Sequence, residues 1–303
     1  MVHDRIENII RHMQEVFLGQ DHVVKSLLCG FFAGGHVLLE GVPGVGKTLI
    51  ALALAKLLNL SFKRIQFTND LLPSDVTGFH ALRSGSASLE LIKGPIFASI
   101  VLADEINRTS PKTQSALLEA MEESQVTIDG ISYELPNPFM VIATQNPVEV
   151  AGTFPLPESQ LDRFLIKMVV GYPSVEKESE ILVKDIDHTD ALNLRPVIDH
   201  DEILALLSRV DAVTVHRDIL AYITTIVRST RAHPQIELGV SPRGGLALKR
   251  ASQAYAFIHG RDFVTPGDVR NICPLVLSHR IIMRQGTANG IVDDILGEIE
   301  IPV

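Results

Sequence analysis

The sequence predicts an α/β chain: a doubly wound parallel sheet of five strands, followed by an all-helical domain. Three observations carry that reading. Short, nearly unbroken apolar runs recur through the first half and alternate with helical stretches. One of those runs breaks off into a glycine-rich loop that opens a helix. After about residue 190 the strand signals fade and helix-capping signatures take over.

The first run is His36–Glu40, ended by Gly41-Val-Pro-Gly-Val-Gly-Lys-Thr48, and the stretch Leu49–Leu60 behind it is rich in Ala and Leu. The other four runs are Phe62–Phe67, Ile100–Ala103, Phe139–Ala143 and Phe164–Val170, with Thr113–Ser124 the clearest helix between them. Strands covered on both faces read as continuous apolar segments, which is why this pattern points to a parallel sheet between helices. Two segments interrupt it. Gly78–Pro95, with Ser84-Gly85-Ser86 between short apolar pieces, reads as a hairpin inserted into a crossover. Val126–Leu135 alternates apolar and polar residues around Asp129-Gly130, a two-residue hairpin signal. Either is compatible with surface decoration or with a tool projecting from the core. Further on, Asp199 with Glu202 reads as a capping box. Ser241-Pro242 and Thr265-Pro266 each pair an N-cap with a proline at the first helical position. The expected division is 1–190 and 191–303, connected through Asp185–Arg195.

At ~150 residues per domain, 303 residues agree with two domains. An apolar content of 46% with 21% charged residues excludes a disordered chain. The formal charge of −9 counts against a nucleic-acid motor, because duplex binding rests on clustered Lys and Arg. Within the two expected hairpins the only Lys or Arg residues are Arg83 and Lys93. The two cysteines, Cys29 and Cys273, are too few for a disulfide framework or a four-ligand zinc site and read as free core thiols. The charged start Met1–Glu7 is unlike a secretory signal. The uncharged runs Ser26–Leu39 and Leu135–Val148 fall short of the ~18–20 residues that span a bilayer. The chain therefore reads as cytoplasmic, without membrane insertion.

The loop Gly41-Val42-Pro43-Gly44-Val45-Gly46-Lys47-Thr48, continued by Leu49, is a complete phosphate-binding (Walker A) pattern in strand–loop–helix context. Its glycines turn backbone N–H groups toward a β-phosphate, Lys47 faces the β/γ oxygens, and the Thr48 hydroxyl ligates Mg²⁺. Ile100-Val-Leu-Ala-Asp104-Glu105 delivers two carboxylates at the C-terminal end of a strand, where open α/β sheets bind ligands. Asp104 suits the Mg²⁺ water shell and Glu105 the general base acting on the attacking water. Asn146, just past the fourth strand, can orient that water, although Asn146-Pro147 reads equally as a turn. Arg163, in Asp162-Arg163-Phe164, is either an arginine finger supplied to a neighbouring subunit or a surface cation salt-bridged to Asp162. Arg243, in Gly239-Val-Ser-Pro-Arg243-Gly, starts a helix from which it can reach a phosphate in a cleft between the two domains.

Together these motifs resemble an AAA+ ATPase. More narrowly, Gln66-Phe-Thr-Asn-Asp-Leu-Leu-Pro-Ser-Asp-Val-Thr-Gly78 and Asp104-Glu-Ile-Asn-Arg-Thr-Ser-Pro-Lys-Thr-Gln-Ser-Ala-Leu-Leu-Glu-Ala-Met121 resemble the MoxR subfamily, with Thr109 where alanine is expected. The resemblance implies an AAA+ P-loop core with a helix-2 insert (about 78–95), a pre-sensor hairpin (about 126–135) and a helical lid. It implies ATP/ADP and Mg²⁺ as cofactors. Asn146 becomes sensor 1, Arg163 the arginine finger and Arg243 sensor 2, on its own or a neighbour's nucleotide. Phe17-Leu18-Gly19-Gln20 becomes the loop that contacts adenine, largely through its backbone. It further implies a homo-oligomeric ring, commonly a hexamer, with ATP between protomers. Relatives act as chaperone-like remodellers of protein complexes, often with von Willebrand factor A domain partners. The competing readings are a metal-chelatase-type motor subunit, a nucleic-acid translocase, and an ATP-gated switch with negligible turnover.

Overall fold

The computed structural model describes residues 2–82, 89–147, 152–185, 188–288 and 290–302. Two helices, α1 (Val2–Val16) and α2 (Asp21–Phe32), precede the first strand. Ile6, Ile9 and Met13 recur at helical spacing on α1 and are fully buried, so one face of that helix belongs to the core. Then follow β1 (His36–Glu40), α3 (Lys47–Leu57), β2 (Phe62–Gln66), α4 (Pro73–Thr77), β3 (Gly78–Leu82), β4 (Leu89–Lys93) and β5 (Ile100–Asp104). Next come α5 (Pro111–Glu123), β6 (Gln125–Ile128), β7 (Ile131–Glu134), β8 (Met140–Gln145), α6 (Glu158–Leu161) and β9 (Phe164–Val169).

Five of these strands form one parallel sheet in the order β2-β5-β8-β1-β9. The apolar runs expected to be strands are all in it. β5 is buried along its whole length and β8 along all but its last residue, as continuous apolar sequence between two layers of helix requires. β2 lies at an edge and tolerates Lys63, Arg64 and Gln66, which a central strand would not. The sheet order places the loops after β1, β5 and β8 side by side, so the phosphate loop, the acidic pair and Asn146 meet at one end.

Both hairpins are present. β3 pairs antiparallel with β4, and the expected turn Ser84-Gly85-Ser86 lies outside the described residues. β6 pairs with β7 through Asp129 (φ 51°) and Gly130 (φ 81°), two left-handed residues in succession, which the Asp-Gly pair permits.

After β9 the chain is mainly helical: α7 (Val175–Lys184), α8 (His188–Asn193), α9 (His200–Asp211), α10 (Arg217–Ala232), α11 (Pro242–Ile258), α12 (Pro266–Leu277) and α13 (Ile291–Glu298). The stretch expected as a plain connector thus contains α8, which packs on α3. The capping boxes at Asp199/Glu202 and Thr265/Asp268 form, and Ser241 caps α11 through the Gly244 N–H. A short antiparallel ribbon, β10 (Ile236–Leu238) with β11 (Ile282–Met283), lies among these helices. One apolar cluster runs from α1 and α2 through β1 into α9–α13, so Leu27 and Phe32 share a core with Leu248 and Phe257. Truncating one such residue, Leu27→Ala, costs about 2–5 kcal/mol. Cys29 and Cys273 are both buried and unpaired, and burial raises both thiols above their ordinary range.

Candidate functional site

The phosphate loop needs its glycines for two different reasons. Gly44 and Gly46 both sit at φ 85°, a left-handed conformation in which a side chain is strained. Gly41 has an ordinary φ, but a Cβ there would approach the Val170 carbonyl oxygen to 2.5 Å. Lys47 opens α3 and turns its ammonium back onto the Gly41 carbonyl at 2.5 Å. Burial holds that ammonium below its usual pKa, while the nearby Asp104 and Glu105 charges work in the opposite direction.

The acidic pair is tightly held. Asp104 ends β5, and its Oδ2 accepts from the Arg64 guanidinium at 2.6 and 3.1 Å. Its Oδ1 accepts from the Thr144 hydroxyl at 2.5 Å. Glu105 stands in a left-handed turn (φ 57°) with its N–H on the Thr144 hydroxyl at 2.9 Å. Its Oε2 accepts from Gln66 Nε2 at 2.9 Å and from Arg108 at 3.0 Å. The second carboxylate is therefore turned out of the sheet end by the backbone and steadied by neighbours on β2 and on its own turn.

These groups border one cavity of about 630 Å³, a size suited to a small-molecule ligand. Lys47, Thr48, Asp104, Glu105 and Asn146 line its polar end, together with Arg64 and Gln66. Phe17, Leu18 and Gln20 line the cavity too, as do Tyr172 and Pro173 just before α7 and Ile181 and Leu182 within it. Gly19, in the same loop, turns at φ 80° and packs against Lys177 so closely that a Cβ would collide with it. Gln20 donates to the Gly171 carbonyl at 2.8 Å, and its buried Oε1 has no hydrogen-bond partner among the described residues. Among the described residues, none beyond Leu182 lines this cavity.

Arg163 and Arg243 stand elsewhere. Arg163 donates to the Leu118 carbonyl at 2.6 Å and pairs with Glu122 Oε2 at 2.8 Å. Arg243 pairs with the other oxygen of the same carboxylate, Oε1, at 2.9 Å. Asp162 does not pair with its neighbour Arg163. It is taken by Arg280, whose buried guanidinium bonds Asp162 Oδ1 at 2.6 Å and the carbonyls of Asp162 and Phe164 at 3.0 and 2.8 Å. Arg243, expected to serve either its own or a neighbour's nucleotide, is not among the residues that line the cavity and is turned to Glu122.

Residues 36–166 match the ATPase family associated with various cellular activities (AAA), and residues 228–299 match an AAA lid domain. The Chaperone MoxR1 of Mycobacterium tuberculosis is 40% identical over 98% of this chain and 80% of its own length. The chain belongs to the MoxR-type AAA+ ATPases. This MoxR-type ATPase is also 48% identical to the uncharacterized protein YeaC of Bacillus subtilis, over the whole of this chain and 96% of that one. A crystal structure of a protein from Cytophaga hutchinsonii superposes with a TM-score of 0.91 at 38% identity, covering 100% of this chain and 96% of that one. The AAA+ fold with its helical lid, ATPase activity and a chaperone-like role follow for this MoxR-type protein.

Several residues at the site had no signature in the sequence. Arg64 and Gln66 lie two apart on one face of β2, a spacing that marks them as neighbours of the β5 carboxylates once the two strands are known to pair. Thr144 sits inside an apolar run and reads there as a strand residue. Glu122 carried one unused signal: it is an acid in the last turn of α5, which holds no basic residue to answer the helix dipole.

Proposed function

We propose that this MoxR-type ATPase hydrolyses Mg²⁺-bound ATP to remodel a protein complex, as a homo-oligomeric ring whose active sites are completed between subunits. One observation carries the proposal. Lys47, Thr48, Asp104, Glu105 and Asn146 share a cavity, whereas the two arginines suited to transition-state charge lie outside it in the same chain.

In this reading the amides of Gly41–Thr48 and the Lys47 ammonium hold the β/γ-phosphates, and Phe17-Leu18-Gly19-Gln20 faces the adenine. Glu105 takes the proton of the attacking water, which Asn146 orients. Arg163, as a finger, and Arg243, as sensor 2, stabilise charge on the γ-phosphate of an adjacent protomer. The donors present fit Mg²⁺: Thr48 offers a hydroxyl and Asp104 a carboxylate. Among the described residues there is no cluster of three or more His, Cys, Asp or Glu, so no all-protein cage competes with a metal held through phosphate and water. Bound Mg²⁺ would supply neutralisation of phosphate charge.

The acidic balance and the sparsely basic hairpins favour a protein client over a nucleic acid. Among the described residues no helix is long and apolar enough to cross a membrane, in keeping with a cytoplasmic client. The family likeness favours a hexameric ring and a von Willebrand factor A domain partner as the form this would take. Phosphate release measured with and without EDTA, across a range of protein concentrations, tests the catalytic part. Activity that vanishes with EDTA and rises per subunit with concentration supports it; a concentration-independent rate contradicts completion between subunits. Capture of partners by an ATP-trapped Glu105→Gln protein tests the rest.

A further inference from the structure

The Glu122 carboxylate occupies an unusual place. It lies in the final turn of α5, at the negative end of the helix dipole, where a carboxylate is disfavoured. It is held there by two guanidiniums, Arg163 on Oε2 at 2.8 Å and Arg243 on Oε1 at 2.9 Å. Arg280 adds a third guanidinium to the neighbourhood, close enough that Arg243 opposes its charge. Three cations thus face two carboxylates, Glu122 and Asp162, and the cluster keeps an excess of positive charge.

The two halves of this cluster differ in depth. The Arg280 side chain is 4% exposed and bound to backbone as well as to Asp162, which fixes the segment carrying Arg163. Arg163, Glu122 and Arg243 are 29%, 33% and 57% exposed. Ion pairs open to solvent contribute little, so Glu122 is exchangeable for another anion on both guanidiniums, although Arg163 is also tied to the Leu118 carbonyl at 2.6 Å. A terminal phosphate carries more charge than a carboxylate and more acceptor oxygens for two guanidinium forks.

We propose that Glu122 is a built-in stand-in for phosphate: it holds Arg163 and Arg243 together in the unassembled chain and yields them to the γ-phosphate of ATP on a second copy. This rests on the reading that both arginines act between subunits. Glu122 is then a positioning residue that sets how much ATP is needed to join subunits. It brings two side chains from distant parts of the sequence to one point, and it competes with the ligand they await.

Removing its charge separates these roles. In Glu122→Gln, the ATP concentration that half-assembles the full-length protein, read by analytical ultracentrifugation, falls about three- to tenfold. The half-saturating ATP concentration for hydrolysis falls with it. Glu122→Asp keeps the charge and returns both values toward wild type. The shift disappears when Glu122→Gln is placed in an Arg163→Ala/Arg243→Ala background, which excludes a general effect on folding. Half-assembly values unchanged or raised in Glu122→Gln, with kcat down tenfold, overturn the proposal and leave Glu122 a mere support. If Arg163→Ala alone hydrolyses ATP at the wild-type rate, it is the underlying inter-subunit reading that fails.

Discussion

The Thr144 hydroxyl donates to Asp104 Oδ1 at 2.5 Å and, through the same oxygen, accepts the Glu105 N–H at 2.9 Å. One buried side chain on β8 thereby sets the carboxylate of Asp104 and the left-handed turn that aims Glu105. The isosteric Thr144→Val strips both of that partner, at about 1–3 kcal/mol. We expect a lower Tm and, because misplacement of a catalytic group is costly, a kcat reduced about 10²-fold. Thermal unfolding and phosphate release measure the two; an unchanged rate contradicts the orienting role.

Thr109 makes the opposite case. It is fully buried, stands where the resemblance led to the expectation of alanine, and its hydroxyl has no partner among the described residues. Thr109→Val replaces the unsatisfied hydroxyl with a methyl of similar shape and should stabilise the protein by about 1 kcal/mol. The expected reading is a Tm about 2 °C higher or more, with hydrolysis unaltered.

His36 couples the sheet to pH. Its Nδ1 accepts the Val141 N–H at 2.9 Å and its Nε2 donates to the Met121 carbonyl at 2.9 Å, so the neutral ring is the form that fits. Burial pushes its pKa down to about 4. A histidine depressed on folding contributes stability above its unfolded pKa of about 6.5, and that contribution is lost as pH falls toward 4. By pH 5 the loss is about 2 kcal/mol. His279, buried and held well below its usual pKa mainly by desolvation, adds to the same trend. Tm should fall between pH 7 and 5, and less steeply in His36→Gln, whose amide keeps one donor and one acceptor without titrating. A pH-independent Tm in the wild-type protein contradicts this account.

Glu105→Gln keeps the hydrogen bonds that reach Oε2 from Gln66 and Arg108 partly intact but removes the base. Steady-state hydrolysis should fall about 10²- to 10⁴-fold while ATP stays bound. Filter binding with labelled ATP, alongside phosphate release, distinguishes a trap from a binding defect.

The sheet, both hairpins and the phosphate loop were legible in the sequence because each rests on neighbours in the chain: apolar runs, an Asp-Gly turn, a glycine pattern before a helix. The partners of the catalytic groups were not. Arg64 reaches Asp104 across two paired strands, Thr144 reaches both acids from a third, and Arg280 reaches Asp162 from the far end of the chain. Such contacts leave no local periodicity. Arg163 illustrates the limit: its neighbour Asp162 looked like the natural ion-pair partner, yet that carboxylate belongs to Arg280, and Arg163 answers an acid on α5.

Completion of each active site by a neighbouring chain makes Arg163 and Lys47 act from different protomers on one site. Arg163→Ala protomers keep their own cavity, and Lys47→Ala protomers keep a sound Arg163 to lend, so each should be nearly inactive alone, with the Arg163 variant down about 10³-fold. Phosphate release from mixtures of the two tests the claim directly. Activity that reappears on mixing and peaks at intermediate ratios is the predicted result; no recovery at any ratio contradicts it.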